Sequence, residues 1–210
     1  MNAIQYEKDI VFLVADKNIK FSINGILLRH DSLEIPQLKT DIFIHPGNDS
    51  GCLHGSHDFL RTLINRYAYS MVVFDREGCG QEDNSRQAIE TQVEDLLSRN
   101  GWNGRNSVIV IDPELENWVW SDSPHVEDKL GWRGKEPDLR TWLIERGLLL
   151  NRNSKPTKPK EAMQLALKEA RMPRSSSIYQ QLAERVGFRR CNDSAFIKLK
   201  TTIREWFPLA

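Results

Sequence analysis

Three hydrophobic runs of this chain end on acid: "FLVAD" at Asp16, "MVVFDRE" at Asp75 and Glu77, and "VIVIDPELENW" at Asp112, Glu114 and Glu116. Carboxylates gathered at one place disfavour one another's charged form, so the arrangement is costly unless a cation neutralises it. Ligands that are all oxygen suit a hard ion such as Mg²⁺ or Mn²⁺. The pattern therefore points to a divalent-metal site. Any single acid here has an ordinary alternative as a turn former or helix cap; it is the recurrence at three run ends that favours the ion.

The elements that must position these acids follow from periodicity. "DIVFLVA" (9–15) is a continuous apolar run, as expected of a strand buried on both faces of a parallel sheet. "IKFSINGILLRH" (19–30) follows with apolar residues at helical spacing, and "TDIFIHP" (40–46) reads as a second strand. "SHDFLRTLINRY" (56–67) reads as a helix, with Ser56 as N-cap and Phe59, Leu60, Leu63 and Ile64 on one face. Met71 to Phe74 form the third strand, "SRQAIETQVEDLLSRNG" (85–101) a helix stopped by Gly101, and "SVIVID" (107–112) the fourth strand. The alternation predicts an α/β fold, a mostly parallel sheet with helices on both faces. In such sheets ligands bind beyond the carboxyl ends of the strands, where these acids fall.

Net charge is zero, but it is unevenly divided. Residues 1–150 carry 16 Lys and Arg against 24 Asp and Glu, whereas residues 151–210 carry 13 against 5. The change falls at "NRNSKPTKPKEA", which reads as a linker or an ordered loop. The organisation expected is an α/β domain over 1–150 and a basic helical C-terminal extension over 151–210 that packs on it. "PKEAMQLALKEARM" and "SSIYQQLAERVGF" are its amphipathic helices. The basic part either neutralises the acidic body or holds a polyanion against it, and for DNA or RNA the candidates are Arg189, Arg190, Lys198 and Lys200.

A second constellation, "HPGNDSGCLHGSH", reads as a loop carrying His45, Cys52, His54 and His57. His54 or His57 could serve as a general base or a phosphate contact. With Cys79, Cys52 and the histidines could instead hold zinc, and turn and capping roles are the plainer alternative. Trp118 and Trp120 would point to opposite sides if "NWVWSD" is extended, and they suit core packing more readily than base stacking. Three cysteines, odd in number and widely spaced, argue against a disulfide framework. The apolar run Ile10 to Val14, between Asp9 and Asp16, is neither a signal h-region nor a membrane span, so a cytoplasmic protein with no membrane partner is expected. The sequence has no P-loop.

These residues resemble the Toprim-type domain. They are closer still to a largely uncharacterised bacterial Toprim-related family that occurs near phage-defence genes and is related to the OLD-type nucleases. "VVFDRE" is similar to that family's Asp-x-Asp motif, with Glu77 for the second Asp, and "ELENWVWSD" to its Glu-x-Trp motif through Glu116 and Trp118. The C-terminal segment with Arg190, Cys191 and Phe196 resembles the family's helical end. Where the family has a strand-terminal Glu-Gly, this chain has Ala15-Asp16. The resemblance implies that the missing Glu is a general acid/base or metal ligand, for which Asp16 would be a shorter substitute, one position late.

Two functions are therefore expected. One is a Mg²⁺-dependent (or Mn²⁺-dependent) phosphodiester hydrolase acting on DNA or RNA, with Asp16, Asp75 and Glu77 catalytic and Asp75, Glu77 and Glu116 as metal ligands. The other, favoured by the missing Glu, is a degenerate, non-catalytic component of a bacterial anti-phage defence system. It would bind nucleic acid or other defence proteins, in a system that can include a DNA methyltransferase.

Overall fold

The computed structural model describes residues 5–121, 123–188 and 191–209. The elements run β1 (Lys8–Val14), α1 (Lys17–Leu27), α2 (His30–Leu33), β2 (Thr40–Ile44), α3 (Asn48–Arg61), β3 (Tyr67–Asp75), α4 (Arg86–Leu97), β4 (Asn106–Ile111), α5 (Glu116–Val119), α6 (Pro124–Lys129), α7 (Leu139–Glu145), α8 (Pro159–Glu169), α9 (Ser176–Ala183) and α10 (Ser194–Trp206). The four strands form one sheet in the order β2-β1-β3-β4, and every pairing is parallel. This is the α/β arrangement that the alternating apolar runs predict.

The apolar runs are strands because both of their faces are covered. Ile10 to Ala15 and Met71 to Phe74 have no exposed surface, and neither do Val108 to Ile111. Right-handed crossovers place α1, which links β1 to β2, on one face, and α3 and α4, which run the opposite way across the sheet, on the other. In keeping with that, α3 and α4 touch each other, while α1 lies along α9.

Two expectations need correcting. The second helix is not 56–67: α3 starts eight residues earlier, at Asn48, and residues from Tyr67 onward belong to β3. Gly51 and Gly55 made the segment look like a loop, but they are where His45 lies against the helix. A Cβ at Gly51 would sit 2.1 Å from His45 Nδ1 and one at Gly55 would sit 3.1 Å from His45 Nε2. Trp118 and Trp120 do not alternate along a strand either, since Glu116–Val119 is a helical turn. Their indole N–H groups reach different parts of the C-terminal region, Trp118 donating to Asp193 at 2.9 Å and Trp120 to the Pro159 carbonyl at 2.9 Å.

Residues beyond 150 are bound tightly to the sheet. Asp193 caps α10 through the Phe196 N–H at 3.0 Å and also accepts from Asn117 and Trp118, so one carboxylate orients α10 and fastens it to α5. On the other side, α1 meets α9 at Gly25, where an added Cβ would lie 2.6 Å from the Gln180 carbonyl oxygen and 2.9 Å from Ala183 Cβ. Helix propensity alone would make Gly25→Ala stabilising by about 1 kcal/mol. Because the obstacle is backbone, the substitution should instead cost about 1–3 kcal/mol, seen in circular-dichroism melts as a Tm lowered by about 2–4 °C per kcal/mol. An unchanged or raised Tm would contradict the close α1–α9 approach.

Candidate functional site at the carboxyl edge of the sheet

β1 and β3 are neighbours whose onward connections leave in opposite directions, to β2 on one side and β4 on the other. That divergence opens a crevice at the carboxyl ends of the two strands. Asp16 follows β1 at its mouth and Asp75 ends β3. Asp49, on the first turn of α3, accepts the Asp75 backbone N–H at 2.8 Å. Glu114 and Glu116 follow β4 and are each only 3% exposed.

Each acid but one is engaged. Asp16 is the N-cap of α1, its Oδ1 accepting from the Ile19 N–H at 2.8 Å. Glu116 accepts from Tyr179 Oη at 2.6 Å and from Arg174 Nη2 at 3.0 Å. Glu114 accepts from the Lys160 backbone N–H at 2.8 Å, and Lys160 Nζ stands 3.5 Å from its other oxygen. The exception is Asp75, whose Oδ1 is shielded from solvent and has no hydrogen-bond partner among the described residues.

The electrostatics follow from this crowding. Burial, then the charges of Asp49, Glu116 and Asp16, push the Asp75 carboxyl well above the usual carboxylate range, against the pull of Lys160. Burial likewise raises Asp49 and Glu114. Lys160 shows the complement: burial opposes its charge, but Glu116, Glu114 and Asp75 hold it above the ordinary lysine value. Burial and the Glu116 charge push the Tyr179 hydroxyl up, so it stays a proton donor.

The sequence-predicted residues are thus divided. Asp16, Asp75 and Glu116 stand at the same sheet edge, and the charges of Asp16 and Glu116 act on Asp75. Glu77 is exposed in the turn after β3, and its charge acts on Glu114. Asp112 pairs with Arg76 at 2.9 Å. His54 is exposed on α3; His57, half-buried, stands 3.6 Å from Asp58 and has its Nδ1 buried without a partner. Lys198 bonds Glu94 at 2.7 Å and Glu90 at 3.1 Å, and Lys200 is half-buried on α10. Arg189 and Arg190 lie outside the described residues. Among the described residues no group of three or more His, Cys, Asp or Glu side chains is disposed to hold a metal ion.

The residues that sequence reasoning missed are Asp49, Lys160, Arg174 and Tyr179. Asp49 was hidden in a stretch read as a loop, and Lys160 at the end of the Pro/Lys-rich stretch, where Pro159 opens α8. The opposite charges of the two halves were the signal for Lys160 and Arg174. No protein-family model, no curated protein and no solved structure matches the chain.

A carboxyl whose proton affinity is raised by folding binds more protons in the folded than in the unfolded chain. Stability therefore falls as pH climbs from about 4, the unfolded value, through the higher folded value. Asp75→Asn removes the charge that folding disfavours. Its Tm should exceed the parent's at neutral pH and above, and the gap should close towards about pH 4. Thermal melts across that range check it; a variant less stable than the parent at neutral pH would show that the Asp75 charge is needed.

Proposed function

We propose that this chain is a non-catalytic, Toprim-like component of a bacterial anti-phage defence system, one that works by binding nucleic acid or a partner protein. The observation that carries the non-catalytic part is the closure of the acidic edge by the chain's own donors, with Arg174 and Tyr179 on Glu116 and Lys160 on Glu114. Asp16, standing where the resembled family has its Glu-Gly, is engaged in capping α1. As arranged, Asp16, Glu114 and Glu116 do not suit a Mg²⁺ or Mn²⁺ ion, because each already accepts from an internal donor. The defence setting rests on the resemblance of the Asp75-x-Glu77 and Glu116-x-Trp118 motifs. Binding is the remaining role for a fold of this kind without a free acidic site.

A second reading, a Mg²⁺-dependent phosphodiesterase, is favoured by the orphaned Asp75 Oδ1. It requires Lys160 to withdraw.

The two readings part in a nicking assay on supercoiled DNA with Mg²⁺ or Mn²⁺. The parent and Lys160→Ala are both expected to leave the DNA intact, while Lys160→Ala melts at a lower temperature because Glu114 loses its cation. Metal-dependent nicking by the parent, abolished in Asp75→Asn, would overturn the non-catalytic reading. Retardation of DNA or RNA that weakens steeply with salt would identify nucleic acid as the bound partner, and its absence at low salt would leave a protein partner.

A further inference from the structure

The joint between the sheet and the C-terminal helices forms an open cavity of about 850 Å³, which Tyr179, the donor to Glu116, also lines. It lies among α1, α2, α5, α9 and α10, with the Asn153–Lys155 segment on its rim. Its size falls in the range of small-molecule sites.

The lining has two chemistries. Ile26, Leu115, Val119 and Leu182 are apolar, and Trp118, Phe196 and Phe188 form a continuous aromatic wall, with centroids 5.5 Å apart for Trp118 and Phe196 and 5.3 Å apart for Phe188 and Phe196. Around this apolar part stand five cations: Arg29, Arg140, Lys155, Lys200 and Arg204. Arg204 pairs with Glu34 at 3.0 Å. The other four have no carboxylate partner among the described residues. Arg29 donates to the carbonyls of Ala183 and Val186, Arg140 to those of Ser121, Arg152 and Ser154, and Lys155 to that of Asn117 at 2.7 Å. Carbonyl oxygens orient these side chains, and Arg29 also stacks on the Phe188 ring at 3.9 Å from its centroid, but no carboxylate among the described residues compensates their charges. Among the described residues Lys200 Nζ has neither a hydrogen bond nor an ion pair. The acid on the rim beside Glu34 is Asp31, which stands 3.3 Å from His30. One polar atom of the wall is also unsatisfied, the Ser121 hydroxyl, which is buried without a partner among the described residues.

An apolar, partly aromatic wall next to an excess of oriented, uncompensated cations calls for a ligand that is flat and apolar at one end and anionic at the other. We propose that this cavity binds a mononucleotide, its base against Trp118 and Phe196 and its phosphate towards Lys200 and Lys155. Base–aromatic contact supplies affinity without a strong sequence preference, and the charged donors supply the phosphate contacts. None of the carboxylates of the acidic edge lines this cavity, so the proposal stands whichever reading of that edge holds.

Isothermal titration calorimetry of the full chain with the four ribonucleoside 5′-monophosphates tests this. At least one should bind saturably, with a Kd of about 1 mM or tighter, and should bind at least about tenfold better than inorganic phosphate. Lys200→Gln and Lys155→Gln, each of which keeps a polar side chain on a rim position, should each weaken that binding by about tenfold. No saturable heat with any of the four would overturn the proposal. So would binding unchanged in both variants, or phosphate binding as tight as the nucleotide. Capture of a single-stranded oligonucleotide that monophosphates fail to compete away would overturn it in favour of a strand-binding surface.

Discussion

The carboxylate of Glu116 is the group around which the C-terminal half of the molecule is arranged. It is 3% exposed, at the end of a parallel sheet and beside Asp75, where water cannot stabilise its charge. A buried charge must be paired and hydrogen-bonded or it becomes very costly. Arg174 and Tyr179 supply the pair and the hydrogen bond, and both come from beyond residue 150. Such a pair adds little net stability compared with an apolar substitute, but removing one partner costs about 3–5 kcal/mol. Its effect is thus on specificity: the segment carrying Arg174 and α9 has one favourable place to sit.

The same device recurs at the far edge of the sheet. β4 is an edge strand, and its outward N–H groups at Val108 and Val110 would invite another strand. Instead they donate to Glu94 at 2.9 Å and Glu90 at 3.0 Å. These carboxylates need cations in turn, found in Arg86 of α4 itself, 2.6 Å from Glu90, and in Lys198 of α10, which touches both. Acid from the body thus meets base from the C-terminal helices at two separated places, and the opposite charge of the two halves is the trace of this in composition. The large cavity is what remains between the two attachments, where side chains of both parts face each other without closing.

How much of this was legible depended on whether the signal was local. The four strands could be read because burial on both faces forces uninterrupted apolar runs, and Asp16, Asp75 and Glu116 could be placed together because parallel strands bring their ends to one edge. α3 could not, since Gly51 and Gly55 break the helical pattern for a reason that exists only in three dimensions, the ring of His45 lying on the helix. Lys160 and Arg174 were equally hidden. Nothing next to them in sequence shows which carboxylate they will meet 46 or 58 residues away. Only the charge imbalance between the halves carried that information, and it gave the sign of the interaction without the partners. Trp118 and Trp120 misled because a spacing of two fits a strand, whereas the chain passes through α5 at Trp118 and leaves it at Trp120.

The position of the first acid decides how the rest of the edge can be used. Ala15, the first residue after β1, is wholly buried, with its N–H bonded to the Val73 carbonyl, so the chain leaves the strand facing the core. Asp16, one residue on, has extended backbone angles and turns its carboxylate to the first turn of α1. An acid in that role is held by the helix it starts: moving it toward Asp75 would leave the Ile19 N–H without its cap, at a cost of about 1 kcal/mol. A carboxylate at position 15, in contrast, would have no helix to cap and would have to seek a cation or a proton beside Asp75. Asp16 is therefore held as a structural cap. It leaves Asp75 facing Lys160 from within the chain.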